Sequence, residues 1–129
     1  MPYLLGIDVG TTHTKAVVYA PETGEIVASG HCRTVTHHPR PGWSDFQPDE
    51  VWAGVVQSVR EALAQCSDRA DIAAVAVASM GEAGIPLDQH GAPLYPIIAW
   101  HDPRTEAQSR WWLESFGAER IFAITGQLV

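Results

Sequence analysis

The hydrophobic positions fall first into two short runs, Tyr3 to Val9 and Thr14 to Ala20, separated by Gly10-Thr11-Thr12-His13. Apolar runs of this length around a tight turn predict two adjacent antiparallel strands. Pro21-Glu22-Thr23-Gly24 reads as a second turn, and Glu25 to about Thr36 as a third strand with Val27, Ala28 and Val35 apolar. His37-His38-Pro39-Arg40-Pro41-Gly42 interrupts any regular pattern and predicts a loop. From Pro48 to about Gln65 the period changes. Val51, Trp52, Val55, Val56, Val59 and Leu63 recur at helical spacing, with Arg60 and Glu61 on the other side. Asp49 and Glu50 suit the positive N-terminus of that helix. Ile72 to Ala78 is a continuous run of small apolar residues, the pattern of a strand buried on both faces. Ala83 to Leu87 and Leu94 to Ala99 predict a hairpin around Asp88-Gln89-His90-Gly91-Ala92. Asp102 to about Phe116 predicts a second helix, capped by Asp102, begun by Pro103 and stopped by Gly117. Glu119 to Thr125 predicts a short helix or turn. The order gives an α/β chain: three antiparallel strands, a helix, then a parallel strand.

The first turn is where this pattern meets chemistry. An apolar strand delivers one acid, Asp8, directly to a Gly-Thr-Thr turn. Gly10 lacks a Cβ, so the backbone can bend sharply there and approach a ligand closely. Successive N–H groups of Gly10, Thr11 and Thr12 suit phosphate oxygens, and the two threonine hydroxyls add donors. Asp8 is a hard oxygen ligand beside them, suited to Mg²⁺ directly or through water. Lys15 adds a positive charge in the next strand. An ordinary hairpin that happens to carry Gly and Thr is the competing reading. The apolar flanks weigh against it, because a carboxylate close to a core is costly without a ligand.

Composition narrows the field. A chain of 129 residues with 46% hydrophobic positions makes one domain with a real core. A net charge of −7 argues against nucleic acid, which needs a basic face, and implies that any nucleotide arrives with Mg²⁺. Cys32 and Cys66 have neither metal spacing nor a disulfide framework, which fits a reduced, cytoplasmic setting. The N-terminus has no signal-peptide pattern, and no apolar run is long enough to span a membrane. His31, His37 and His38 have no metal-ligand spacing and read as solvated loop; His13, in the turn, reads as an outward ring. Trp111 and Trp112 are adjacent and cannot share one helix face, so one is expected in the core.

The turn Gly6-Ile7-Asp8-Val9-Gly10-Thr11-Thr12 resembles the first phosphate motif of the sugar-kinase, Hsp70 and actin superfamily. Within it, the chain is most similar to the FGGY family of carbohydrate kinases. Gly42-Trp43-Ser44-Asp45-Phe46-Gln47-Pro48 is similar to that family's tryptophan-and-Gln-Asp-Pro helix entry. Pro86-Leu87-Asp88-Gln89-His90-Gly91-Ala92-Pro93-Leu94 resembles its Leu-Asp-x-x-Gly-x-Pro-Leu hairpin. Ile97-Ile98-Ala99-Trp100-His101-Asp102-Pro103-Arg104-Thr105 resembles its Trp-x-Asp-x-Arg segment. These stretches cover nearly the whole chain in the family's order.

The resemblance implies a ribonuclease-H-like mixed sheet with flanking helices, as in actin-like ATPase domains. Family members are several times longer and have two lobes. Residues 1–129 therefore correspond to the N-terminal part of the first lobe, ending in Thr125-Gly126-Gln127-Leu128-Val129, which resembles a family Thr-Gly segment. It further implies ATP and Mg²⁺ as cofactors, with Asp8 organising the metal and Gly10, Thr11, Thr12 and Lys15 at the phosphates. The γ-phosphate would pass to a hydroxyl of a sugar or polyol, the proton being taken by an Asp beyond residue 129. On the substrate side it points to Glu82, just past the fifth strand, and to Trp100, whose indole can lie against the C–H side of a polyol. Asp102 is a hydroxyl partner or a helix cap, and Arg104 pairs structurally with Asp102 or Glu82. Glu82 has a competing reading as a solvated loop acid, and Trp100 as a core residue. Glycerol kinases carry Arg where Gly81 stands, and xylulokinases a Met-His pair at the positions of Gly81 and Glu82, so neither substrate carries over. A non-catalytic binding or self-assembling module, held together through apolar surface left open at its edges, is the alternative from a different functional class.

Overall fold

A computed structural model of the chain describes residues 2–66, 71–81 and 83–128. Among the described residues, six strands and three α-helices follow in order: β1 Tyr3–Val9, β2 His13–Ala20, β3 Glu25–Arg33, β4 Asp45–Phe46, α1 Pro48–Ala64, β5 Ile72–Ser79, β6 Ile97–Ile98, α2 Glu106–Phe116 and α3 Ala118–Thr125. The main sheet has the order β3-β2-β1-β5, and β4 pairs with β6 in a two-stranded second sheet. β1, β2 and β3 run antiparallel, and β5 lies parallel to β1 with Asp8 beside Ala78. This is the ribonuclease-H-like order expected from the strand pattern.

One face of the sheet is covered by α1. Leu5, Ala16, Val18 and Ala28 from the strands and Ala62 from α1 form the buried cluster, with Ile7, Val59 and Leu63 packed against it. The residues of α1 that meet the sheet are small: Gly54, Ser58 and Ala62 are its buried positions. The periodic large residues were expected to do this, yet Trp52 is 66% exposed. The reason is close approach. A Cβ on Gly30 of β3 would lie 2.2 Å from the Ser58 carbonyl oxygen, so helix and strand touch backbone to backbone and leave no room for a bulky side chain. The single Ser58 hydroxyl proton lies between two backbone acceptors, Gly54 O (2.8 Å) and Thr14 O (3.1 Å).

Five further expectations are corrected. β3 ends at Arg33 rather than near Thr36, because its register against β2 runs out at His13–Arg33. Ile72 to Ala78 is a strand but is not buried on both faces: Val75 and Val77 are 57% and 65% exposed. Among the described residues β5 pairs in the sheet with β1 alone, and α1 lies over the other strands. The hairpin at 83–99 turns where expected but is short: Asp88 N–H donates to Ala92 O and Leu94 N–H to Pro86 O, both at 2.9 Å, around one bridge, Leu87 to Pro93, while Ile97–Ile98 pairs instead with Asp45–Phe46. Pro86, Pro93 and Pro96 lack the N–H that a ladder needs. Neither Trp111 nor Trp112 is core; both are exposed, and Trp111 meets the edge of Phe116 at 5.9 Å between ring centroids. The second helix starts later than expected, since Pro103–Thr105 forms a 3₁₀ turn before α2.

Candidate functional site

The carboxyl end of β1 and the carboxyl end of β5 lie side by side, joined where Met80 N–H donates to Val9 O at 2.9 Å. In an open sheet this is the edge where ligands gather. A cleft of about 560 Å³ opens there, lined by Asp8, Gly10, Thr11, Ser79, Met80, Gly81, Trp100 and Gln127. Four of the residues singled out from the sequence thus share one space: Asp8, Gly10, Thr11 and Trp100. The groove between β3 and α1 is larger, about 880 Å³, but its lining of His31, Ala53, Val56, Gln57, Arg60 and Glu61 holds neither the acid nor the turn.

The turn has a definite internal geometry. Gly10 N–H donates to His13 O at 3.1 Å and closes the reversal. A Cβ at Gly10 would sit 2.8 Å from that same oxygen, so only glycine fits. The N–H expected to reach a phosphate from Gly10 is therefore engaged within the turn, which leaves Thr11 and Thr12 as the donors to consider. Thr34 holds the turn from outside. Its hydroxyl donates to Gly10 O at 2.8 Å, and its N–H donates to Thr12 O at 3.0 Å. The sequence offered little signal for Thr34, because the contact spans 24 positions and depends on how β3 ends.

Asp8 is exposed and lies opposite Lys15 in the β1–β2 register, so both side chains share the sheet face turned away from α1. Thr12 is exposed at the turn but does not line the cleft. His13 opens β2 as an exposed ring, 6.4 Å from that of His31. Glu82 lies outside the described residues.

Asp102 takes a different position from the cleft acids. It is buried, and both oxygens are engaged: Oδ1 accepts from Arg104 N–H (2.8 Å) and Nε (2.9 Å), while Oδ2 accepts from Arg104 Nη2 (2.7 Å) and the Ser44 N–H. The Arg104 guanidinium, aided by these N–H donors, outweighs burial and holds the Asp102 carboxyl well below the usual carboxylate range. Arg104 also reaches Asp45 at 3.4 Å and stacks on Trp43, 4.0 Å from the ring centroid. Asp102 faces a second, smaller cleft of about 390 Å³, with Trp100 forming part of the wall of both.

Set beside known proteins, residues 3–129 match the sequence model described as the FGGY family of carbohydrate kinases, N-terminal domain. The chain belongs to the FGGY family of carbohydrate kinases. It is 36% identical to a glycerol kinase of Beutenbergia cavernae over 126 residues, 96% of this chain and 25% of that protein. It is 34% identical to a glycerol kinase of Thermococcus gammatolerans over 104 residues, 80% of this chain and 21% of that protein. Among solved structures, gluconate kinase from Lactobacillus acidophilus superposes with a TM-score of 0.86 at 25% identity, over 98% of this chain and 25% of that one. Plasmodium falciparum glycerol kinase with ADP superposes at 0.85 and 26% identity, over 99% and 26%. The chain thus spans about a quarter of the length of the curated relatives it matches. The FGGY match and the actin-like fold of the neighbours agree with the family and fold read from Asp8 to Thr12 and from Trp100 to Arg104.

Proposed function

We propose that this chain forms part of the active site of an ATP-dependent carbohydrate kinase. The observation that supports the reading best is the single cleft in which Asp8, the Gly10–Thr11 turn, the end of β5 and Trp100 converge. The residues fit a metal-bound phosphate. Among the described residues no three His, Cys, Asp or Glu side chains converge on a metal cage. One exposed carboxylate beside a donor-rich turn is what Mg²⁺ needs when substrate phosphates and water complete its shell. Bound there, the metal would neutralise charge on the transferring phosphoryl group. Asp8 would hold it, Thr11 and Thr12 would donate to phosphate oxygens across the turn that Gly10 makes possible, and Lys15 would balance charge beside Asp8. Trp100 would offer its face to the C–H side of a sugar or polyol, with Glu82 accepting from hydroxyls. Asp102 would reach a hydroxyl only by giving up bonds to Arg104 or Ser44, so its part is to shape the wall.

The chemistry needs a proton acceptor and an adenosine pocket besides these groups, and we propose that both come from the length that the longer relatives have and this chain lacks. The 129-residue chain alone is then expected to show no sugar phosphorylation. The deciding measurement is phosphoryl transfer from MgATP to a panel of sugars and polyols by a polypeptide that joins these residues to the remaining three quarters. Asp8→Asn in that polypeptide should lower kcat by at least about a hundredfold, since it removes a charge that acts in the transition state, without changing the thermal midpoint. Near-normal turnover in Asp8→Asn would remove Asp8 from the chemistry.

A further inference from the structure

We infer that Arg104 is a positioning residue whose guanidinium sets where Trp100 stands in the cleft. The inference rests on the reading of that cleft as the substrate side, but its geometry is independent of the reaction.

Trp100 and His101 are the two central residues of a tight turn closed by the Asp102 N–H, which donates to Ala99 O at 2.9 Å. The indole stands largely in solvent. It is 66% exposed, and its ring contact is with the neighbouring His101, edge-on at 5.4 Å between centroids. The direction of the side chain therefore follows the backbone of the turn. Both ends of that backbone are pinned to one segment, Trp43 to Phe46. At the entry, Ala99 N–H donates to Ser44 O at 3.0 Å, and Ile97–Ile98 pairs with Asp45–Phe46. At the exit, the Asp102 carboxylate accepts from Ser44 N–H. Arg104 locks that exit. Nε and Nη2 take the two Asp102 oxygens, Nη2 also reaches Asp45 Oδ2 at 3.4 Å, and the planar group lies 4.0 Å above Trp43.

Stability alone does not call for this cluster. Two acids share one guanidinium, the Arg104 and Asp45 side chains are 8% and 5% exposed, and Asp45 Oδ1 is buried without a hydrogen-bond partner among the described residues. A buried ion pair left incomplete in this way is a weak source of stability against an apolar replacement of the same volume. What it supplies is a rigid fork with fixed directions, which a point charge does not. Here the fork joins β4 to the turn that carries Trp100.

Arg104→Lys is the informative substitution. It keeps the charge that compensates Asp45 and Asp102, so the fold is retained, but loses the bidentate geometry. In the 129-residue chain labelled with 5-fluorotryptophan and carrying Val75→Lys and Val77→Lys on the exposed β5 strand to hold it monomeric, five ¹⁹F resonances are expected, one for each tryptophan in the sequence. Trp100→Phe identifies that of Trp100. Arg104→Lys should move or broaden the Trp100 and Trp43 lines and leave those of Trp52, Trp111 and Trp112 in place. An unchanged Trp100 line in folded Arg104→Lys overturns the inference. Should Arg104→Lys fail to fold, Asp45→Asn, which loosens the same clamp without removing Arg104, must shift the Trp100 line or the inference falls. In a polypeptide that phosphorylates a sugar, Arg104→Lys should raise the sugar KM about tenfold and change it far more than kcat, and adding Trp100→Phe should bring little further loss. Equal losses in kcat and kcat/KM with an unchanged KM would count against it. If no sugar is phosphorylated at all, the kinase reading fails while the fluorine spectra still decide the positioning.

Discussion

At the scale of single residues, the phosphate turn depends on one contact that comes from far along the chain. Thr34 bonds to both sides of the turn, through its hydroxyl to Gly10 O and through its N–H to Thr12 O. The backbone bond survives any non-proline substitution, so the hydroxyl can be tested alone. Thr34→Val is nearly isosteric and leaves the Gly10 carbonyl without this donor, at a cost of about 1 kcal/mol. Thr34→Ser restores the donor. Amide hydrogen exchange read by NMR should show faster exchange at the Gly10 N–H, which closes the turn, and at the N–H of residue 34 in Thr34→Val, and return toward the parent in Thr34→Ser. Equal exchange in all three chains would mean that Gly10 and His13 hold the turn unaided. Asp8, Gly10 and Thr11 were legible in the sequence because the chemistry, the bend and the apolar flanks sit within a few consecutive residues. Thr34 was not, since its role depends on where β3 stops pairing with β2. The same holds for Asp45. It sits in a loop-like stretch of sequence, and only the pairing of β4 with β6 brings it within reach of Arg104, 59 positions away.

Between elements, helix α1 shows how periodicity can give the right element and only part of its buried face. The apolar repeat of Val51 to Leu63 correctly placed a helix over Pro48–Ala64. The buried stripe is nevertheless Gly54, Ser58 and Ala62, because contact with β3 is made at Gly30 at backbone distance. Large side chains are therefore displaced to the flanks, where Val59 and Leu63 still reach the core. A sequence pattern weighted by side-chain size cannot register this, since the signal lies in the absence of side chains on both partners. Gly30→Ala is the test. Its Cβ would meet Ser58 O at 2.2 Å and Ala62 N at 2.8 Å, both backbone atoms that cannot rotate aside. The helix would have to lift, and the expected loss is about 3 kcal/mol, the upper range for overpacking. Trp52→Ala, on the exposed side, should change stability by no more than about 0.5 kcal/mol. Urea titration followed by far-ultraviolet circular dichroism separates the two. A Gly30→Ala chain as stable as the parent would show that the helix-to-sheet distance is not fixed by this contact. β5 was read correctly as a parallel strand for a related reason: its small apolar run needs no decision about faces. Its burial was misjudged because burial belongs to neighbours, and the strand's sequence does not reveal whether this chain supplies them.

For the whole molecule, the two edges of the main sheet are treated in opposite ways, and this asymmetry predicts how the chain behaves in solution. The β3 edge is occupied by side chains from α1: Glu61 accepts from His31 N–H at 3.0 Å, and Gln65 donates to Ser29 O at 2.6 Å. These bonds use the strand's outward groups and discourage pairing with another chain, as protected edges do. At the other edge, β5 presents Ile-Ala-Ala-Val-Ala-Val-Ala-Ser without a charge, with Val75 and Val77 exposed on the α1 side of the sheet. Exposed Ile85, Leu87, Leu94 and Tyr95 extend the apolar surface in the segment that follows. An uncharged strand of high β-propensity at an open edge is a template for association. The 129-residue chain should therefore self-associate at micromolar concentration despite its net charge of −7, since none of that charge lies on β5. Val75→Lys with Val77→Lys places two cations on the exposed strand without touching the buried cluster or the cleft. Sedimentation velocity should then give a monomer across the concentration range in which the parent sediments as a larger species. A parent chain that is monomeric throughout would refute the open edge as a driver of association and, with it, the reading of the chain as a self-assembling module. A doubly substituted chain that still associates would move the contact to the exposed Trp111, Trp112 and Phe116 on α2.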